Sequence, residues 1–181
     1  MTVTTLDSRT ALVLIDLQAG IAGRPGMAPV VAKAAQLADA FRAQGHPVVL
    51  VNVDGRAPGR TERGNVPVEW PPGWTDLLPE LGDGIRVTKR TWGAFHGTDL
   101  DEKLREHGIT QVVLGGIATS KGVESTARAA HEHGYNVTIA VDAVGDTDPE
   151  AHRNAIERIF PALGETGTVG EIAALLAATA R

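Results

Sequence analysis

The chain has 181 residues, 43% hydrophobic and 22% charged, the composition of one globular domain with a sizeable core. Its formal charge is -5 with no basic stripe, which argues against sequence-independent nucleic-acid binding, and no apolar run approaches the roughly 20 residues that span a bilayer. It has no cysteine, which excludes disulfides, thiolate metal sites and thiol catalysis together.

Met1 to Thr10 is polar and carries Asp7, so no secretory leader is expected and the cytoplasm is the expected compartment. Ala11 to Asp16 is a continuous apolar run ending in a carboxylate, the pattern of a strand buried on both faces. A Gly-rich loop, Gly20 to Gly26, follows. Ala28 to Gln44 reads as a helix, with Val30, Val31, Ala34, Leu37, Ala38 and Phe41 on one face and Gly45 as its stop. Val48 to Val53 is the second apolar strand. Asp54 to Gly84 is a long Gly-, Pro- and Arg-rich loop, and Trp70 and Trp74 argue that it is ordered.

Ile85 to Thr88 is a short third strand that delivers Lys89. Asp99 to His107 is a helix closed by Gly108, and Gln111 to Gly115 is the fourth strand. Lys121 to His133 is the next helix, closed by Gly134. Asn136 to Val141 is the fifth strand, ending at Asp142. Pro149 to Leu163 reads as one helix, Glu165 to Thr168 as a last short strand and Val169 to Ala180 as a last helix. Strand and helix alternate except where the long loop joins the second strand to the third. The expected fold is a single α/β domain over residues 1–181, a six-stranded parallel sheet with helices on both faces.

In such sheets ligands bind beyond the carboxyl ends of the strands. Asp16 ends the first strand, Lys89 ends the third, and Thr119 to Gly122 follow the fourth. An acid, an ammonium and the N–H groups of Lys121 and Gly122 at a helix start would meet there. The acid can give or take a proton and the ammonium can stabilise negative charge.

Three blocks in order resemble the isochorismatase-like hydrolase superfamily over nearly the whole chain. They are Ala11 to Gln18, then Lys89 with Trp92-Gly93-Ala94-Phe95 and Thr98-Asp99-Leu100, then Gly115 to Ala143. Most members are amidases with an Asp–Lys–Cys triad. Asp16 matches the Asp, Lys89 the Lys, and Gly122 stands at the Cys position. The resemblance also implies a non-proline cis peptide near Ile117-Ala118 and a homo-oligomer, dimer or tetramer. Isochorismatases proper are similar in having Gly at that position, and they cleave a vinyl ether without a covalent nucleophile.

The resemblance therefore implies a hydrolase of a small, carboxylated molecule, with Asp16, Lys89 and Gly122 as the catalytic set. Asp16 is the general acid, and burial and Lys89 push its pKa in opposite directions. Two alternatives stand beside this: a non-catalytic binding protein that keeps the pocket, and an amide hydrolase in which water attacks directly. Ser120 and Ser125 are substitute nucleophiles without an evident base, and Thr119 reads as a helix N-cap.

Candidate substrate contacts are Gln18, Trp92, Phe95, Thr119, Lys121 and Arg56. Gln18 is either a substrate contact or a loop hydrogen bond. Arg56 is one of three loop arginines, with Arg60 and Arg63, able to clamp a carboxylate. Nicotinamidases of this superfamily bind a metal through an Asp and two His soon after the second strand. Here that stretch reads Asn52-Val53-Asp54-Gly55-Arg56, so neither metal nor other cofactor is expected.

Overall fold

The computed structural model describes residues 2–62 and 69–179. Arg63, one of the candidate loop arginines, lies outside them, as does Ala180 at the expected end of the last helix.

The strands are β1 (Thr10–Ile15), β2 (Val48–Val53), β3 (Ile85–Lys89), β4 (Gln111–Ile117), β5 (Asn136–Gly145) and β6 (Glu165–Gly167). They form one sheet in the order β3-β2-β1-β4-β5-β6, and every pairing is parallel. The helices are α1 (Ala19–Ala22), α2 (Ala28–Ala43), α3 (Leu100–Glu106), α4 (Glu124–Glu132), α5 (Pro149–Asn154), α6 (Phe160–Leu163) and α7 (Val169–Thr179). This is the α/β domain that the alternating pattern leads one to expect. Among the described residues no helix is long and apolar enough to cross a membrane.

The apolar runs are buried because both sheet faces are covered. Side chains alternate across a strand, so β1 divides between two cores. Leu12 and Leu14 pack with Val31, Leu37 and Phe41 of α2 and Ile172 and Leu176 of α7. Val13 and Ile15 pack on the other face with Leu100 and Leu104 of α3, Ala127 and Ala130 of α4, and Phe160. The edge strand β3 alternates instead, with Val87 and Lys89 buried and Arg86 and Thr88 exposed.

Several elements differ from the sequence reading: α1 occupies the start of the expected Gly-rich loop, β4 runs on from Gly115 to Ile117, and the helix expected from Lys121 opens as a π-helical turn, Thr119–Val123, before α4. β5 does not stop at Asp142 but runs on to Gly145, where Val144 and Gly145 pair with Gly116 and Ile117. Asp142 is tolerated inside the strand because its carboxylate accepts the Val169 N–H and pairs with Lys33 at 3.4 Å. The helix expected over Pro149 to Leu163 is interrupted by a π-helical turn at Ala155–Ile159, just before Pro161, which has no N–H to donate.

The sheet order reverses at β1, whose neighbours are β2 and β4. The crevice at that switch point lies beyond the carboxyl ends of β1 and β4, where Asp16 and the Ala118 to Gly122 segment emerge.

Candidate active site

Asp16 follows β1 directly and has a φ of 54°, in the left-handed region. A short polar side chain makes Asp one of the few non-glycine residues that enter this region at modest cost. Its N–H donates to Val51 O at 2.8 Å, which keeps the turn on the sheet. Lys89 at the end of β3 reaches across the end of β2, and its Nζ donates to Asp16 Oδ2 at 2.8 Å and to Thr91 O at 3.0 Å. Both side chains are buried: Asp16 is 5% exposed and Lys89 2%. Asp16 Oδ1 has no hydrogen-bond partner among the described residues.

Burial dominates the electrostatics of this carboxyl. It pushes the Asp16 pKa up to about 6, although the Lys89 charge and hydrogen bond pull it down. The two opposing influences legible in the sequence thus resolve in favour of burial.

The third component arrives from β4. Gly116 has a φ of 124°, and a Cβ there would lie 2.1 Å from Ile15 O, so only glycine lets β1 and β4 approach this closely. The Ile117–Ala118 peptide is cis, as the resemblance implies. Thr119–Val123 then forms a π-helical turn that leads into α4. Gly122 in that turn faces Asp16. A Cβ added to it would stand 3.1 Å from Asp16 Oδ2 and 2.9 Å from Ile15 Cγ2. Thr126, one turn on, accepts the Ala94 N–H at 3.1 Å and donates to Gly122 O at 2.7 Å. It ties the segment after Lys89 to the glycine turn.

The structure thus brings Asp16, Lys89 and Gly122 together. The expected substrate contacts fare differently. Gln18 is fully buried; its Nε2 donates to Val53 O and Trp74 O, at 3.1 and 3.2 Å, and its Oε1 accepts the Val53 N–H at 2.8 Å. All these bonds clip β1 to β2 and to the long loop, so of its two readings the loop hydrogen bond is the one observed. Phe95 stacks on His133 with centroids 4.9 Å apart and tilts against Tyr135, just before β5, at the opposite end of the sheet from Asp16.

Trp92 is 61% exposed, while its carbonyl lies 3.5 Å from the place a Gly122 Cβ would take. Arg56 sits over the Trp70 ring at 5.6 Å, and Trp70 stacks on Trp74 at 3.7 Å. Arg60 is exposed. Thr119 is buried and does not cap: the turn has no side-chain cap bond, and the Thr119 hydroxyl instead pairs with His152 Nδ1 at 2.8 Å. The Lys121 N–H, expected to bind an oxyanion, donates to Ala118 O at 3.1 Å.

Sequence reasoning missed Asp146 and His152. Asp146 Oδ2 accepts both the Ser120 N–H, at 2.9 Å, and the Ser120 hydroxyl, at 2.7 Å. Burial raises the pKa of Asp146, but these bonds, the Asp148 N–H and the Lys121 charge outweigh it and hold the carboxyl below its ordinary value. The Asp-Thr-Asp-Pro run was a usable signal, since Asp before Pro marks a helix start; Asp148 does cap α5, accepting from Glu150 and Ala151 N–H. Among the described residues no three His, Asp or Glu side chains converge to hold a metal ion.

Known proteins share this arrangement of fold and sequence. Residues 10–171 match the isochorismatase domain. The isochorismatase family protein YecD of Escherichia coli O157:H7 is 46% identical over 178 residues, covering 90% of this chain and 94% of that protein. The solved structure of an isochorismatase family protein from Burkholderia thailandensis superposes with a TM-score of 0.91 at 44% identity, covering 96% of this chain and 98% of that one. The ureidoacrylate amidohydrolase RutB of Methylobacterium radiotolerans is 31% identical over 183 residues, covering 86% of this chain and 70% of that protein. The chain belongs to the isochorismatase family of hydrolases.

Proposed function

We propose that this protein hydrolyses a small carboxylated substrate without a cysteine nucleophile, using Asp16 as proton donor and acceptor, and that the bond cleaved is a vinyl ether. The observation that carries the reading is the state of Asp16: a buried carboxyl with a pKa of about 6, one oxygen fixed by Lys89 and the other without a partner among the described residues. At that pKa roughly a tenth of the molecules hold the proton at neutral pH, far more than for an ordinary carboxyl.

In this mechanism Asp16 Oδ1 delivers its proton to the terminal carbon of the enol ether. A C–H bond forms and the adjacent carbon becomes an oxocarbenium ion. Water adds to that carbon, and its proton returns to the Asp16 carboxylate. The resulting hemiketal collapses to a ketone and the released alcohol. Lys89 holds Asp16 in place and stabilises the carboxylate left after proton delivery. Gly122 lets the carboxyl rest against the turn. Trp92 at the mouth, and Arg56 on its aromatic stack, are the proposed contacts for the body and the carboxylate of the substrate.

Isochorismate is the direct probe. Wild-type protein is expected to turn it over with kcat/KM falling above a pH of about 6 as Asp16 loses its proton. Asp16→Asn is expected to bind isochorismate and not turn it over. Binding without turnover by the wild type as well would leave a small-molecule-binding protein and reject the enzyme.

Similarity to a ureidoacrylate amidohydrolase favours one second reading, hydrolysis of an amide by direct attack of water. Asp16 is then a base and must be ionised. Activity on ureidoacrylate would rise, not fall, through a pH of about 6.

A further inference from the structure

Two side chains from the segment after β5 grip consecutive residues of the turn that carries Gly122. Asp146 takes both the N–H and the hydroxyl of Ser120 on one carboxylate oxygen. Its other oxygen accepts the Asp148 N–H at 3.1 Å. Asp148 in turn caps α5 through the Glu150 and Ala151 N–H groups. One turn further along α5, His152 Nδ1 meets the hydroxyl of the buried Thr119 at 2.8 Å.

The bracket is anchored at its other end as well. The tail of β5 pairs with the last residues of β4, Val144 with Gly116 and Gly145 with Ile117. The backbone entering the turn and the side chains of the turn are therefore held by one contiguous stretch, residues 144 to 152.

We propose that Asp146 and His152 are positioning residues of this site, which together fix the Thr119–Val123 turn and so set how closely Gly122 seals Asp16. The proposal rests on the reading of Asp16 as the reacting group. Among the described residues neither has a hydrogen bond or ion pair to Asp16; each acts through the turn. A turn that drifts by a fraction of an ångström admits water to the carboxyl and misplaces it for proton transfer. Side-chain bonds to a turn of this kind matter because reacting groups tolerate little misplacement.

The test uses two readouts on the whole 181-residue chain. The first needs no substrate: the titration of the Asp16 carboxyl, followed by carboxyl-carbon NMR. Asp146→Ala and His152→Ala are expected to lower its midpoint from about 6 toward 3.8, because a looser turn rehydrates the group. Asp146→Asn, which keeps an oxygen for Ser120, and His152→Asn, which keeps a polar atom near the place of Nδ1, are expected to restore it. Asp148→Ala, which weakens the cap of α5 but leaves the two grips, is the control for general loosening. The second readout is turnover of isochorismate, where the alanine variants are expected to lose kcat by about 10- to 100-fold with KM nearly unchanged.

Should the alanine variants fail to fold, Ser120→Ala and Thr119→Val each remove one hydroxyl and give the same reading. An Asp16 midpoint in the alanine variants equal to the wild type overturns the proposal, as does an equal fall in Asp148→Ala. Absence of turnover by the wild type instead sinks the vinyl-ether reading and leaves the titration to decide the role of the bracket.

Discussion

Gly122 and Asp16 touch so closely that the glycine cannot acquire a side chain without moving the acid. A Cβ at Gly122 would lie 3.1 Å from Asp16 Oδ2 and 2.9 Å from the Cγ2 of Ile15. The first atom of any side chain there would thus press on the carboxylate, which must give by a few tenths of an ångström, and on a strand residue in the core. Gly122→Ala and Gly122→Cys are expected to cost about 1–3 kcal/mol of stability through overpacking, read from urea unfolding. Gly122→Cys is also expected to show no cysteine-dependent amidase activity. Alkylation-sensitive hydrolysis of an amide by that variant would mean that the acid yields its place easily.

The Lys89 ammonium is the main influence holding the Asp16 pKa down, so its removal must raise it further. In Lys89→Met the Asp16 midpoint is expected above the wild-type value of about 6, measured by carboxyl-carbon NMR. Stability at neutral pH is expected to fall by up to about 3–5 kcal/mol, since a buried carboxylate loses its counter-charge and Thr91 O its donor. Under the acid reading the activity limit would move to higher pH with it. An unchanged midpoint would show that Lys89 and Asp16 do not pair in solution.

How much of this was legible in the sequence depends on the kind of interaction. The strands of the sheet were, because burial on both faces writes itself as unbroken apolar runs such as Ala-Leu-Val-Leu-Ile before Asp16. Asp16 and Gly122 were legible because each closes or follows such a strand, and Lys89 because it ends the alternating edge strand β3 at the place the family resemblance marks. The far end of β5 was not, since Asp142 and Gly145 are poor strand residues and only their pairing with β4 and the Val169 N–H makes them fit. The grips of Asp146 and His152 left no periodic trace either: they join residues 26 and 33 positions apart, side chain to turn. Gln18 was ambiguous for the same reason, its three partners being supplied by β2 and the long loop.

The long loop is held down at Trp74, which rests on Gly20 of α1. A Cβ at Gly20 would fall 1.9 Å from the indole Nε1, inside the ring's own volume. Gly20→Ala is therefore expected to dislodge Trp74 and, through the 3.7 Å stack, Trp70 with its Arg56. The readout is tryptophan emission, which should shift to longer wavelength as the stack opens to water. Gln18→Ala, which deletes the clip to Trp74 O and Val53 O, is expected to act in the same direction and to destabilise by about 1–3 kcal/mol because buried backbone groups lose their partner. If neither variant changes the emission, the stack does not depend on α1 or on the clip.

The raised pKa of Asp16 also sets a sign for stability against pH. In the unfolded chain the group titrates at 3.8, and in the folded protein at about 6. Below 3.8 both states hold the proton, and the folded state has the full benefit of binding it more tightly. Between the two values the unfolded chain releases its proton while the folded protein keeps it, so the contribution drains away as pH rises and is gone above about 6. The difference corresponds to about 3 kcal/mol at most. Asp146, Glu165 and Glu171 have lowered values and act oppositely, losing stability as pH falls. The bare profile mixes these, so the informative quantity is wild type minus Asp16→Asn from urea unfolding at a series of pH values. That difference is expected to fall from pH 4 to pH 7 and then flatten; a difference that rises over this range would mean that Lys89, and not burial, governs the carboxyl.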